Sequence, residues 1–207
     1  MQKRIKKYYH RDSVVIYPPV DTKKFAKKII SDYRLPFTNY FLLVSRFTPY
    51  KKVDLAIKAF NHLGQNLVIV GQGRELKKLK KLSGPTIKFL PQVSESNLIW
   101  LYQHAQALIM HQEEDLGLVA VEAQAAGCPV IAFQKGGATE TVVSGKTGLF
   151  FKEQTVDSLV KAVKQFKPHR FQPAVVKNQA AKFDVKIFNQ KISQFVEAQW
   201  QNRKNSL

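Results

Sequence analysis

Short apolar runs punctuate this chain, and between most of them apolar residues recur at three- and four-residue spacing. The runs are Val14–Tyr17, Tyr40–Val44, Leu67–Val70, Ile87–Leu90, Ala107–Met110, Val130–Phe133 and Leu149–Phe151. Most are rich in β-branched or aromatic residues, which suits strands. Helical spacing covers 52–63, 73–82, 95–105, 117–126 and 155–166, as in Leu55, Ala59 and Leu63, or Leu98, Leu101 and Ala105. Strands that are apolar on both faces and alternate with helices predict a doubly wound, Rossmann-like α/β domain, a parallel sheet with helices on both faces. Ligands of such sheets sit beyond the carboxyl ends of the strands, so the loops after each run are the ones to search. From Pro168 onward the strand signal stops and two C-terminal helices are predicted. One of them carries Val185, Phe188, Ile192, Phe195 and Val196 as an apolar stripe that needs a surface to cover.

Composition narrows the class. Of 207 residues, 44% are hydrophobic, which excludes a disordered chain. Cys128 stands alone, so no intramolecular disulfide or multi-thiolate metal site can form. No apolar run approaches the roughly 20 residues that span a bilayer. The basic start, Met1 to His10, is followed by too short an apolar stretch for a signal peptide. These features predict a soluble, cytoplasmic protein.

Charge is the unusual quantity: 33 Lys+Arg oppose 15 Asp+Glu, for a formal net charge of +18. Such a balance first suggests a phosphate-rich partner, nucleic acid or an anionic membrane. Its distribution is uneven, and solvated helix faces are the competing reading. Residues 1–34, 35–90 and 161–207 carry +7, +8 and +8, whereas residues 91–160 carry −5. In 73–82, Leu76, Leu79 and Leu82 form a stripe with Lys77, Lys78, Lys80 and Lys81 on the other faces, as a solvated helix would place them.

The acidic quarter holds the most specific segment. It is His111-Gln-Glu-Glu-Asp-Leu-Gly-Leu-Val-Ala-Val-Glu-Ala-Gln-Ala-Ala-Gly-Cys-Pro-Val-Ile-Ala132, a strand end, a loop, a helix and a turn into the next strand. Gly117 permits close backbone approach at the helix start, where free N–H groups and the positive end of the dipole favour a phosphate. Glu114 and Glu122 are separated by seven residues, and Glu122 falls on the first turns of that helix, within reach of sugar or ribose hydroxyls. Acidic residues are common at helix starts, which accounts for Glu113, Glu114 and Asp115 without chemistry but leaves Glu122 unexplained. After the Tyr40–Val44 run, Ser45-Arg-Phe-Thr-Pro-Tyr-Lys51 places Arg46 and Lys51 five apart across a proline turn. Both can converge on one anion.

The ordered motifs Tyr-Pro-Pro-Val-Asp21, Ser-Arg-Phe-Thr-Pro-Tyr-Lys51, Val-Gly-Gln-Gly73, Glu-Asp-Leu-Gly-Leu-Val-Ala-Val-Glu-Ala123 and Gly-Gly-Ala-Thr-Glu140 resemble the C-terminal, donor-binding domain of family 4 glycosyltransferases of the GT-B fold, over about residues 13–166. The wording around Glu122 is closest to mannosyltransferase-like members. The resemblance implies retaining transfer of a sugar from a nucleotide diphosphate sugar to an acceptor hydroxyl, as in polysaccharide biosynthesis, with GDP-mannose the favoured donor. It assigns catalytic roles to Arg46 and Lys51, which neutralise the leaving diphosphate, and to Glu114, beside the donor sugar. It gives donor binding to Gly71, to Val93 in the base-reading segment Gln92–Ser94, to the backbone of Gly117, Leu118 and Val119, and to Glu122 at the ribose. It implies no cofactor and no metal, in agreement with the absence of Asp-x-Asp.

The chain departs from the family at Ser45, where many members have glycine, and at His111, where many have proline. His111 is read as a hydrogen-bonded structural residue. Gly71-Gln-Gly73 lacks the third glycine and the later acidic residue of a dinucleotide fingerprint, which disfavours NAD. Ahead of Ser13, where members carry an acceptor-binding domain, only twelve residues stand. The expected organisation is a basic leader or linker remnant (1–12), the donor-binding domain (13–166) and helices packing towards the absent N-terminal domain (167–207), with the chain alone inactive. Expected partners are the nucleotide sugar, that N-terminal domain, and an anionic membrane surface or lipid-linked acceptor at the inner face of the membrane. A basic nucleic-acid or membrane module is the alternative, with nucleic acid disfavoured. A phosphorylase or epimerase is disfavoured too, because no lysine-anchored cofactor signature is present.

Overall fold

A computed structural model describes residues 2–31 and 33–205. The chain opens with helices α1 (Gln2–Tyr9) and α2 (Thr22–Ala26), then alternates strictly: β1 (Phe41–Val44), α3 (Val53–Leu63), β2 (Leu67–Val70), α4 (Leu76–Leu82), β3 (Ile87–Leu90), α5 (Glu95–His104), β4 (Leu108–Met110), α6 (Leu118–Ala125), β5 (Val130–Phe133), α7 (Ala138–Thr141), β6 (Gly148–Phe151) and α8 (Val156–Gln165). Two further helices, α9 (Pro173–Ala180) and α10 (Val185–Lys204), end it. All six strands lie in one parallel sheet of order β3-β2-β1-β4-β5-β6.

Period-two alternation splits the core into two layers. Phe41, Leu43, Leu67 and Ile69 point to the face covered by α3, α4 and α8, while Leu42, Val68, Val70 and Leu108 point to the face covered by α5 and α6. Both sets are nearly inaccessible, which is why these strands read as continuous apolar runs. Ser94 caps α5 and Thr155 caps α8 through the amides of Asn97 and Ser158, and Gly64 closes α3 at φ 62°. α9 packs on α6, burying Val176 and Ala180.

The connection from β3 to β4 carries the chain back past β2 and β1, so the strand order reverses between β1 and β4. At that switch point neighbouring connections leave on opposite faces and a crevice opens at the carboxyl end of the sheet.

The run Val14–Tyr17 is not a strand, contrary to the sequence pattern. β1 already has β2 and β4 on its two sides, so no central edge is free for it. Residues 13–19 have no regular secondary structure, Val14 and Val15 are exposed, and Tyr17 packs edge-on against Phe183 at 5.3 Å. An isolated bridge joins Val20 to Asp184 and ties this segment to the start of α10. α4 begins at Leu76 rather than 73, because Gly73, at φ 155°, lies flat against the Phe47 backbone, where a Cβ would sit 2.4 Å from the carbonyl oxygen. Among the described residues no helix is long and apolar enough to cross a membrane.

Candidate active site

A cavity of about 650 Å³ fills the crevice between the β1 and β4 loops. Two glycines let the β1 and β2 loops meet beneath it. A Cβ on Gly71 would lie 1.9 Å from the Ser45 carbonyl oxygen, so only hydrogen fits there. The Phe47 amide bonds the Gln72 carbonyl oxygen at 2.9 Å and fixes the path of the loop that carries Arg46.

Lys51 owes its direction to the residue after it. Lys52 adopts the left-handed conformation, φ 50°, ψ 39°, which costs a non-glycine residue of order 1 kcal/mol and must be held by its surroundings. His111 Nε2 meets the Lys51 carbonyl oxygen at 2.7 Å. Gln154 Nε2 donates to the His111 carbonyl oxygen at 3.1 Å, and Lys52 Nζ donates to Gln154 Oε1 at 2.7 Å. The loops after β1, β4 and β6 are thereby cross-linked. The Lys51 ammonium turns inward and forms an ion pair with Glu114, whose same oxygen accepts from Gln112 Nε2.

Opposite stands the first turn of α6. Unlike α5 and α8 it has no side-chain cap: Gly117, at φ 77°, precedes Leu118 and Val119, leaving the initial amides without a capping side chain at the positive end of the helix. The cavity wall therefore combines Arg46, Lys51, Gly71, Val93, Glu114, Gly117, Leu118 and Val119. Each was singled out in the sequence, and the fold brings these eight together from four loops.

Glu122 is set apart. It lies on the second turn of α6, outside the cavity lining, and its carboxylate accepts the Tyr102 hydroxyl at 3.1 Å. Burial raises its pKa above the ordinary carboxylate value; the Tyr102 hydrogen bond works against that rise and Glu95 adds to it. Tyr102 is itself fully buried and its phenol is pushed well above its usual range, mainly by burial, with Glu122 adding to it. His111 and Gln112, which the motifs left unassigned, also line the cavity. His111 is 1% exposed, and burial depresses its imidazole pKa to about 4. Their position directly after an apolar strand was the available signal. Tyr102 carries no such signal, because its contact with Glu122 depends on how α5 packs on α6. Among the described residues no three His, Cys, Asp or Glu side chains gather as a metal cluster would.

The family model for glycosyl transferases group 1 matches residues 25–183. Among curated proteins, the GDP-mannose-dependent alpha-(1-6)-phosphatidylinositol monomannoside mannosyltransferase of Mycobacterium tuberculosis is 34% identical over 170 residues, covering 70% of this chain and 44% of that protein. Alpha-1,3/1,6-mannosyltransferase ALG2 of Candida glabrata is 26% identical over 92% of this chain and 54% of its own length. The chain thus spans about half the length of these relatives. Among solved structures, sucrose-phosphate synthase from Thermosynechococcus elongatus superposes with a TM-score of 0.83 at 23% identity, over 97% of this chain and 56% of that one. HepE of Anabaena, in complex with UDP, gives 0.74 at 21% identity, over 89% and 57%. These structures share the fold.

Proposed function

The chain belongs to the group 1 glycosyl transferases, and from that membership we propose that it binds a nucleotide diphosphate sugar as the donor-binding half of a retaining glycosyltransferase. One observation carries the reading: Lys51 and Glu114 meet opposite the uncapped first turn of α6, inside the crevice where the strand order reverses. An ionised diphosphate placed there receives the amides of Leu118 and Val119 from one side and the Arg46 and Lys51 cations from the other. Charge grows on the diphosphate as the glycosidic bond to the sugar breaks. Groups fixed where that charge develops lower the barrier, because they need not reorganise during the reaction. The base lies along Gln92–Ser94, the ribose towards Glu122 and the sugar towards Glu114. The donor's own phosphate oxygen takes the acceptor's proton, so the chain supplies no nucleophile, cofactor or metal.

GDP-mannose is the favoured donor. It is supported by the GDP-mannose-dependent mycobacterial relative, which is 34% identical. The acceptor is bound by a second domain, a reading supported by the curated relatives being about twice the length matched here; closing such a domain over the donor excludes water. The apolar face of α10, with Phe195, Val196 and Trp200 exposed, faces that domain or a membrane-borne acceptor. The exposed lysines of α4 are a solvated face.

Calorimetry with GDP, UDP and ADP tests the proposal. One nucleotide should bind, and Lys51→Ala and Arg46→Ala should weaken it. Failure of all three at millimolar concentration would overturn the assignment.

A further inference from the structure

The open face of α6 runs on past the cavity. Ala120, Val121, Ala123, Gln124 and Ala125 are buried, so Leu118, Val119 and Glu122 are the positions this helix leaves accessible, on one face. Leu118 and Val119 line the cavity, and Glu122 stands one turn further, about 5 Å along the axis. Its carboxylate is tied to the core: Oε2 accepts the Tyr102 hydroxyl at 3.1 Å. Tyr102, near the end of α5, is wholly inaccessible, with its ring 6.2 Å from that of Phe25 in α2. A phenol so enclosed has no room to change rotamer, whereas a partly exposed glutamate keeps much of its torsional freedom. The bond therefore fixes the flexible partner to the rigid one. Burial is the largest influence on the Glu122 carboxyl and favours its neutral form; the Tyr102 hydrogen bond works against that, Glu95 of α5 adds to it and Lys24 of α2 opposes it.

Resting on the reading of the cavity as a nucleotide site with the ribose towards Glu122, we propose that Tyr102 is a positioning residue, whose hydroxyl holds Oε2 of Glu122 so that Oε1 is presented to the ribose hydroxyls before the nucleotide arrives. A ribose is bonded directly to the phosphate received by the first turn of α6, so its hydroxyls fall beside the next turn of the same face. Each hydroxyl brings a donor. An ionised carboxylate accepts on both oxygens, whereas a protonated one has turned one of them into a donor. Tyr102 touches no ligand and acts through Glu122 in two ways. It orders the side chain in the free protein, so that the nucleotide need not, and it donates to the charged form.

The test compares GDP with 2′,3′-dideoxy-GDP by calorimetry on the full chain and on Tyr102→Phe, which removes the hydroxyl and keeps the ring. The parent should prefer GDP by roughly 10-fold. Tyr102→Phe should weaken GDP by roughly 3- to 10-fold, one hydrogen bond's worth, and leave dideoxy-GDP within about twofold of the parent. On acidification, GDP affinity should begin to fall at a higher pH in the variant than in the parent, because the group that opposes protonation of Glu122 is gone. In a Glu122→Ala background, Tyr102→Phe should cause no further loss of GDP affinity. Equal weakening of GDP and dideoxy-GDP would confine Tyr102 to packing α5 on α6 and would overturn the proposal; so would a variant that binds both like the parent. Should Tyr102→Phe fail to fold, Tyr102→Met fills the space without a hydroxyl and reads the same ratio. A parent that binds GDP and dideoxy-GDP equally would instead overturn the placing of the ribose at Glu122, and one that binds no nucleotide would overturn the function on which the inference rests.

Discussion

Lys51 and Glu114, 63 residues apart, share an ion pair in which the two side chains are 13% and 26% exposed. The pair keeps two charges satisfied in a confined, partly desolvated space where either alone would be costly. An arriving diphosphate competes with Glu114 for the ammonium. Lys51→Ala should therefore weaken GDP binding about 10- to 100-fold and reduce its salt dependence, since a charge-assisted hydrogen bond is lost. Glu114→Gln should act in the opposite sense, leaving GDP affinity equal or about 2- to 5-fold tighter because the competing carboxylate charge is gone. Weaker GDP binding by Glu114→Gln would refute the competition.

Glu122 links stability to pH. Its pKa is raised in the folded protein, chiefly by burial. A carboxyl of that kind contributes stability in its protonated form, present below its ordinary value of 4.5 and lost as pH rises through the folded value. Glu122→Gln still accepts the Tyr102 hydroxyl but carries no charge. The variant should melt higher than the parent at pH 7 and lose that advantage towards pH 4, while binding nucleotide more weakly if the carboxylate holds the ribose. Melting curves across this range are the check, and an advantage independent of pH would contradict it.

Much of the sheet was legible because each central strand is buried on both faces, so composition alone separates it from its surroundings. Val14–Tyr17 misled for the same reason: its residues suit a strand, but pairing is decided by whether an edge is free, and that depends on where β4 comes to lie. At the site, Arg46, Lys51, Glu114 and Gly117 could be read from motif spacing. The bonds that aim them could not. The left-handed turn at Lys52 is held by His111 from the β4 loop and Gln154 from the β6 loop, residues 59 and 102 positions further along. Nothing local to the Lys51 sequence reports them.

His111 makes a second pH prediction, with the other sign. Its folded pKa, about 4, lies below the ordinary 6.5, so the unfolded chain binds more protons between those values. Asp54 and Glu114 favour the charged ring and Lys51 opposes it, but burial outweighs all three. Stability should fall as pH drops from 6.5 to 4, by roughly 3 kcal/mol from this residue if the whole shift is expressed. His111→Gln lacks the titration. The gap in unfolding free energy between parent and variant should narrow over this interval, as denaturant melts at pH 7, 5.5 and 4 will show; parallel curves would mean that the ring titrates normally.

Gly71 is the backbone position on which the cavity floor depends. At φ 146° it sits in a region that L side chains rarely adopt, and an added Cβ would come within 1.9 Å of the Ser45 carbonyl oxygen and 3.2 Å of the Phe47 ring. The first obstacle is backbone, which cannot swing aside as a side chain could. Gly71→Ala must therefore push the β1 loop away from β2, disturbing both the 3.1 Å bond from the Ser45 amide to Val70 and the 3.0 Å bond from its own amide to Leu90. Strain of this kind and the loss of paired backbone groups together should cost about 2–4 kcal/mol. Arg46 moves with the loop, so GDP affinity should fall even where the variant is fully folded. Gly145 provides the control: it also has positive φ, 72°, but a Cβ there meets nothing within 4 Å. Gly145→Ala should cost only about 1 kcal/mol and leave GDP binding unchanged. Equal losses in the two variants would show that backbone conformation alone, rather than the close approach of the β1 and β2 loops, sets the requirement for glycine at position 71.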